Sequence, residues 1–290
     1  MAHMSKSLII GAGGLVGSAL TRCLPDAIQG VQMEAKAKNQ IYLDLIKYET
    51  MFKAFDVHRP KVVYLAGAIT DVNKCEDYGT SVVNVKGSIE VLRLCEMFDA
   101  KLVFYSSSYV FDGKKEKPYV TSDDTNPLQN YGKQKLTVEN VILKSEADYL
   151  ILRTVGIFGQ ERKRKNFAQQ VLRSVFAGKD VFAPTDQYMN PVWSDDLARI
   201  SVELVNKRAS GLFHVSGDTC LSKFEFARRV AMFFGYENKV KPLTTVEMNQ
   251  RALRPAMGCL DCSDLLDQGL DIPSFDLGLQ KFLGSGILDG

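Results

Sequence analysis

The 290-residue chain exceeds the roughly 100–200 residues of a usual single core, so it reads as one large α/β domain or two fused ones. Its 46% hydrophobic and 24% charged residues are those of a folded globular protein, and 36 basic against 34 acidic residues leave a formal charge of only +2. That balance makes nucleic acid an unexpected partner, and the longest apolar stretches, such as Val62 to Leu65 followed by Ala66-Gly67-Ala68-Ile69, fall far below the roughly 18 residues of a membrane-spanning helix.

In chain order, Leu8-Ile9-Ile10 reads as a buried strand followed by a glycine-rich turn and a helix from about Leu15 to Cys23. A second strand is expected near Ile28 to Met33, a helix over Tyr48 to Phe55, and another buried strand over Val62 to Leu65. From Val82, apolar residues recur at Val85, Ile89, Leu92 and Cys95, the spacing of one helical face. Lys101 to Tyr105 is then a strand, Tyr131 to Leu143 a helix and Tyr149 to Leu152 a strand. Strands alternating with helices in this way predict an α/β fold, a Rossmann-type doubly wound parallel sheet with its ligand at the carboxyl ends of the strands. Beyond Gly156 the regularity falls, with helical patterns at 167–176, 195–205 and 224–234 and a tail punctuated by Gly and Pro. The expected division is a dinucleotide-binding part over 1–155, with a return segment near 185–215, and a smaller mixed α/β part over 156–290 that holds substrate.

The opening Met1-Ala2-His3-Met4 reads as a vector-derived leader with no secretory signal behind it, so the expected location is cytoplasmic. Six scattered cysteines then read as reduced thiols. Cys259 and Cys262 have CxxC spacing, but with His3 set aside only His58 and His214 could add imidazole ligands, and no metal is expected.

Gly11-Ala-Gly13-Gly14-Leu15-Val16-Gly17 sits between a strand and a helix, where glycines let backbone approach a pyrophosphate whose charge meets free amides at the helix N-terminus. Tyr131 and Lys135 are i and i+4 on one helix, so their side chains face the same way. Reduction of a ketone needs a proton at oxygen as well as a hydride at carbon, and a tyrosine beside an ammonium is expected to have its pKa lowered toward use as an acid. A hydroxyl from Ser106, Ser107 or Ser108, at the end of the strand from Lys101, would hold the carbonyl oxygen; chemistry alone leaves the three serines open.

The glycine spacing Gly11, Gly14, Gly17 is that of extended short-chain dehydrogenases/reductases, and longer stretches narrow the likeness. Ser106-Ser-Ser-Tyr-Val-Phe-Asp-Gly113 is similar to the Ser-Thr-Asp-Tyr-Val-Phe-Asp-Gly stretch of dTDP-4-dehydrorhamnose reductases. Thr70 to Glu76, Val83-Asn84, Asn126 to Lys135, Leu152-Arg-Thr154, Asn166-Phe167 and Asp186-Gln187 resemble the same family over Leu8 to about Ala198. The resemblance implies reduction of a 4-keto group on a nucleotide-linked deoxysugar with NADPH or NADH, and it selects Ser107 as the catalytic hydroxyl beside Tyr131 and Lys135. It places Asp44 and Leu45 by the adenine, Ala66, Gly67 and Ala68 along ribose and phosphates, and Thr70, Ser108, Tyr109, Gly156, Asn166, Trp193 and Arg254 toward the sugar nucleotide. Lys36 and Lys38 after Glu34 favour NADP over NAD.

The chain departs from the family where Ser108 replaces the usual Asp and Gly156 replaces a large aromatic side chain, which is expected to enlarge the site and favour a differently substituted keto sugar. The basic run Arg162 to Lys165 is a candidate clamp for the substrate pyrophosphate. Two alternatives stand beside the reductase: a non-catalytic regulatory subunit like the β subunit of methionine adenosyltransferase, which resembles the same family, and a sugar-nucleotide epimerase or dehydratase. A sugar nucleotide is the expected partner, with neither nucleic acid nor membrane, and a homodimer is compatible with the sequence.

Overall fold

The computed structural model describes residues 6–33, 35–77, 79–161 and 165–285. Strand β1 (Ser7–Ile10), helix α1 (Leu15–Cys23), β2 (Ile28–Val31), β3 (Gln40–Tyr42), α2 (Tyr48–His58) and β4 (Val62–Leu65) form the first half of the sheet. A π-helical turn over Val82–Gly87 leads into α3 (Ser88–Met97), followed by β5 (Lys101–Ser107), α4 (Asn130–Ile142) and β6 (Tyr149–Thr154). The chain continues through α5 (Phe167–Phe176), β7 (Val181–Pro184), β8 (Tyr188–Met189), α6 (Ser194–Asn206), β9 (Gly211–His214), β10 (Leu221–Ser222), α7 (Lys223–Met232), β11 (Val240–Leu243), α8 (Asp264–Asp267) and α9 (Phe275–Gly284).

Seven strands pair in the order β3-β2-β1-β4-β5-β6-β9, all parallel. β1, β4, β5 and β6 read as continuous apolar runs because helices cover both of their faces. Ala19 and Leu20 of α1 with Leu197, Ile200 and Leu204 of α6 bury one face, and Phe55 of α2, Leu92 of α3 and Val138 and Ile142 of α4 bury the other. The sequence order of the strands reverses between β1 and β4, the switch point at which doubly wound sheets open a crevice for ligands. A bidentate ion pair, Arg22 Nε and Nη2 to Asp195 at 2.7 Å each, joins α1 to α6. A third core gathers Phe158, Phe226, Phe275 and Phe282 with α5, α7 and α9. Among the described residues no helix is long and apolar enough to cross a membrane.

One expectation is corrected. Cys220 and Cys259 form a disulfide with Cα atoms 5.9 Å apart, although they lie 39 residues apart in sequence. Strand β8 brings them together: Leu221 of β10 pairs with Met189, and Met257 bridges to Tyr188. Cys262 remains a thiol, its sulfur 3.1 Å from the Ser216 hydroxyl.

Candidate active site

The turn after β1 and the turn after β4 meet at the switch point. Gly11 has φ +86°, and a Cβ there would lie 2.5 Å from Gly67 Cα; a Cβ on Gly17 would lie 2.1 Å from the Gly11 carbonyl oxygen. Both glycines are therefore required by the backbone itself. Gly13 differs, since a Cβ there meets nothing within 4 Å. Helix α1 starts at Gly14 with no side-chain cap, so the amides of Leu15, Val16 and Gly17 point out of an uncapped N-terminus. Open space at Gly13 in front of free amides fits a dinucleotide pyrophosphate.

Ala66, Gly67 and Ala68 are half-buried along the β4 turn, and Leu45 is buried with its Cδ1 3.4 Å from the Cβ position of Gly67. Asp44 is committed within the protein: its Oδ1 accepts from Gln32 Nε2 and the Ile46 amide, both at 3.2 Å. β2 ends at Val31, so the exposed residue that leaves its carboxyl end is Gln32, an amide that the sequence reading passed over. Glu34 lies outside the described residues; Lys36 and Lys38 are exposed.

Ser107, Tyr131 and Lys135 come together at the carboxyl end of β5, next to that crevice. Ser107 ends β5 and accepts a hydrogen bond from the Tyr109 amide at 3.2 Å. Tyr109 in turn stands edge-on to Tyr131, ring centroids 6.1 Å apart. The start of α4 reaches β5 because residue 132 is glycine, where a Cβ would fall 2.0 Å from the Tyr109 carbonyl oxygen. Gln129 caps the helix by accepting from the Gly132 amide at 2.9 Å. Lys135 Nζ donates to the Tyr105 carbonyl at 2.7 Å and lies 5.8 Å from the centre of the Tyr131 ring. No group among the described residues bonds the Tyr131 hydroxyl.

The electrostatics differ from the expected lowering of the tyrosine. Burial pushes the Tyr131 phenol up, with Cys75 and Tyr109 adding to it, because the ammonium is turned to the Tyr105 carbonyl. Burial also lowers Lys135 to about 8, against the pull of Glu139 and Cys75. A network that sequence reasoning left unassigned supports both turns: Asn84 binds the amide and carbonyl of Ile69 at 2.8 and 3.0 Å and donates to Gln134 Oε1 at 2.7 Å. Asn84 sits in the π-helical turn, which aims it at the β4 loop and at α4 together.

The expected substrate residues are placed unevenly. Thr70 is exposed beyond the β4 turn. Ser108 is wholly buried beneath Gly258, whose Cβ position is 3.5 Å from its hydroxyl. The enlarged pocket expected at Gly156 is absent: with φ +60°, a Cβ there would meet Met189 Sδ at 2.8 Å and Pro191 Cα at 3.2 Å, so neighbours already fill the position. Asn166 spends its side chain capping α5 and donating to the Gly159 carbonyl at 2.9 Å. Trp193 is half-buried against α9, where Gly278 leaves room for it. Arg254 reaches back to the β4 loop, its Nη2 3.1 Å from Asn73 Oδ1, and a second arginine, Arg251, pairs with Asp77 at 2.6 Å. Of the basic run, Arg162, Lys163 and Arg164 lie outside the described residues.

Comparison with known proteins identifies the family and the fold. A family model described as the RmlD substrate binding domain matches residues 5–286. A dTDP-4-dehydrorhamnose reductase from Aggregatibacter actinomycetemcomitans is 30% identical over 279 residues, covering 90% of this chain and 92% of that protein. The crystal structure of a dTDP-4-dehydrorhamnose reductase from Bacillus anthracis in complex with NADP superposes with a TM-score of 0.87 at 25% identity, covering 96% and 98% of the two chains. The rat methionine adenosyltransferase 2 subunit beta is 28% identical, covering 98% of this chain and 89% of that protein.

Proposed function

The chain belongs to the RmlD substrate binding domain family, and from that premise we propose that it is an NADPH-dependent reductase of a 4-keto deoxysugar nucleotide. The observation that carries this reading is the convergence of Ser107, Tyr131 and Lys135 beside the glycine turn, with the Tyr131 hydroxyl unspent.

NADPH, when bound, supplies the hydride to the carbonyl carbon. Gly11 to Gly17 and Gly67 would hold its phosphates, and Leu45 with the β4 turn would line its adenosine half. The Ser107 hydroxyl accepts from Tyr109, which leaves its one proton to donate to the substrate carbonyl oxygen. Tyr131 delivers its proton to that oxygen as the C–O group becomes an alkoxide, and the product is the alcohol. Of the three Lys135 protons one is held by Tyr105, and the others are free for the nicotinamide ribose and the phenolate left on Tyr131. In this reading residues 1–155, with the return segment near 185–215, hold the cofactor, and 156–290 supply most of the sugar-nucleotide site. Neither Ser108 nor Gly156 opens additional space, so dTDP-4-dehydrorhamnose heads the list of substrates to try. The reading takes the enzyme to act as a homodimer, which sedimentation would check, and in the cytoplasm, a location that the Cys220–Cys259 disulfide argues against and that cell fractionation would decide.

The test is a panel of 4-keto sugar nucleotides scored for consumption of NADPH and NADH. Turnover should fall on the order of 10²-fold or more in Tyr131→Phe with cofactor affinity little changed; near-normal turnover in that variant removes Tyr131 from the acid role. A second reading, a regulatory subunit, is favoured by the likeness to the methionine adenosyltransferase subunit over 98% of the chain. It predicts no consumption with any substrate and stoichiometric capture of a synthetase.

A further inference from the structure

Behind the Tyr131 and Lys135 pair lies an ion pair that the proposed reaction leaves unused. Glu139, one turn beyond Lys135 on α4, is fully buried, and Arg153 of β6 is only 4% exposed. The guanidinium grips both carboxylate oxygens, Nη2 to Oε2 at 2.7 Å and Nε to Oε1 and Oε2 at 3.1 and 3.2 Å. Arg153 is itself fixed, its Nη1 3.4 Å from the Thr121 carbonyl and its guanidinium 5.1 Å from the centre of the Phe111 ring. A buried pair of this kind contributes little net stability, because desolvating two charges offsets most of their attraction. Its position next to the proposed catalytic lysine supplies another reason for it.

Tyr131, Lys135 and Glu139 follow one another at intervals of four residues along α4, on one buried face. The groups that face Lys135 are Tyr131 and Glu139 from its own helix, the Tyr105 carbonyl and Phe104 ring from β5, and Cys75 from the loop after β4. Burial pushes the Cys75 thiol up, and Glu139, whose oxygens Arg153 grips, is the carboxylate of the set. Arg153 occupies both oxygens of Glu139, so the carboxylate acts on the ammonium from a turn away without capturing it from Tyr105 and the ribose side. We propose that Glu139, held in place by Arg153, is a positioning residue that keeps Lys135 protonated while leaving its ammonium free to serve Tyr131. This rests on the reading of Lys135 as the partner of Tyr131 in the reduction.

The test measures the titration of Lys135 directly, by NMR of the full chain labelled at lysine Cε, with Lys135→Met to assign the signal. The wild-type midpoint should lie near the value of about 8 that burial imposes. Glu139→Gln should lower it by about one pH unit or more, a tenfold loss of the protonated form, and Glu139→Asp should restore most of the shift. Arg153→Gln should move the midpoint the opposite way. A folded Glu139→Gln variant with an unchanged midpoint overturns the proposal. Where that variant fails to fold, an unchanged or lowered midpoint in Arg153→Gln overturns it. A pair that only supports packing gives no shifts of opposite sign. Since the titration needs no turnover, an inactive chain that shows these shifts would retire the reductase reading while leaving the link between Glu139 and Lys135 standing.

Discussion

The two sides of the crevice are held by different means. On the proposed cofactor side, a Cβ on Gly11 would strike the backbone of Gly67 and Ala66 and one on Gly17 that of Gly11 and Ala12, so the shape follows from turns that meet at the switch point of the sheet. On the proposed substrate side, the segment from Thr244 to Gly258 has little regular structure and is held by distant partners: Thr245 to Asp186 at 2.8 Å, Arg251 to Asp77, Arg254 to Asn73, and the Cys220–Cys259 disulfide at its end. A side built on the sheet is as stable as the sheet, whereas a side built on separate tethers can loosen while the fold persists.

The largest expected effect cuts the strongest tether. A disulfide spanning 39 residues restricts the unfolded chain by about 4 kcal/mol on the chain-entropy account, so Cys220→Ser or a reductant should lower stability toward that amount in urea titration. Hydrogen exchange should rise over residues 250–260 and stay unchanged in the glycine turn; equal change in both would break the distinction between the two sides. Acid tests the joint between them. His214 Nδ1 donates to the Tyr119 and Asp261 carbonyls at 3.0 and 3.1 Å, and burial, reinforced by the Arg153 charge, lowers the imidazole to about 4. The unfolded chain takes up the same proton near pH 6.5, so between these values it binds more protons than the folded one and stability falls as pH falls. A loss on the order of 3 kcal/mol from pH 6.5 to 4 is expected, and His214→Asn should flatten it.

Smaller effects separate the sides by kinetics. Arg254→Ala should raise KM for the sugar nucleotide about tenfold by freeing the segment, with kcat within about twofold, and Asn73→Ala should do much the same. A fall in kcat with KM unchanged would instead join Arg254 to the chemistry. The smallest change concerns the cofactor alone: Gln32→Asp places a carboxylate where β2 ends and should shift binding a few-fold from NADPH toward NADH in calorimetry, leaving KM for the sugar untouched.

Legibility in the sequence follows the same boundary. The buried runs of β1, β4, β5 and β6 and the glycine turn announce themselves within a few residues, and Ser107, Tyr131 and Lys135 inherit their placement from those elements. β3 escapes notice because three residues on an edge, none of them buried, carry no alternation to read. β8 and β10 are two residues each and exist through their pairing with one another. The disulfide has no local signal, since its cysteines are apposed only by β8. Gly156 reads as missing bulk until Met189 and Pro191 are seen beside it. Glu139 carries no signal in the sequence because its partner, Arg153, enters from β6.

The parallel sheet has a further consequence for how quickly the molecule is made. Ser7 pairs with Val62, and Leu150 with Gly211, so these ladders cannot zip from a hairpin and must wait for long crossovers to close. Folding should be slow relative to a helical bundle of the same size, with the apolar runs of β4 and β6 exposed to solvent meanwhile. Yield from a heterologous host would then be set by growth temperature and chaperone capacity, and the tether between Cys220 and Cys259 can close only after β8 has found its place.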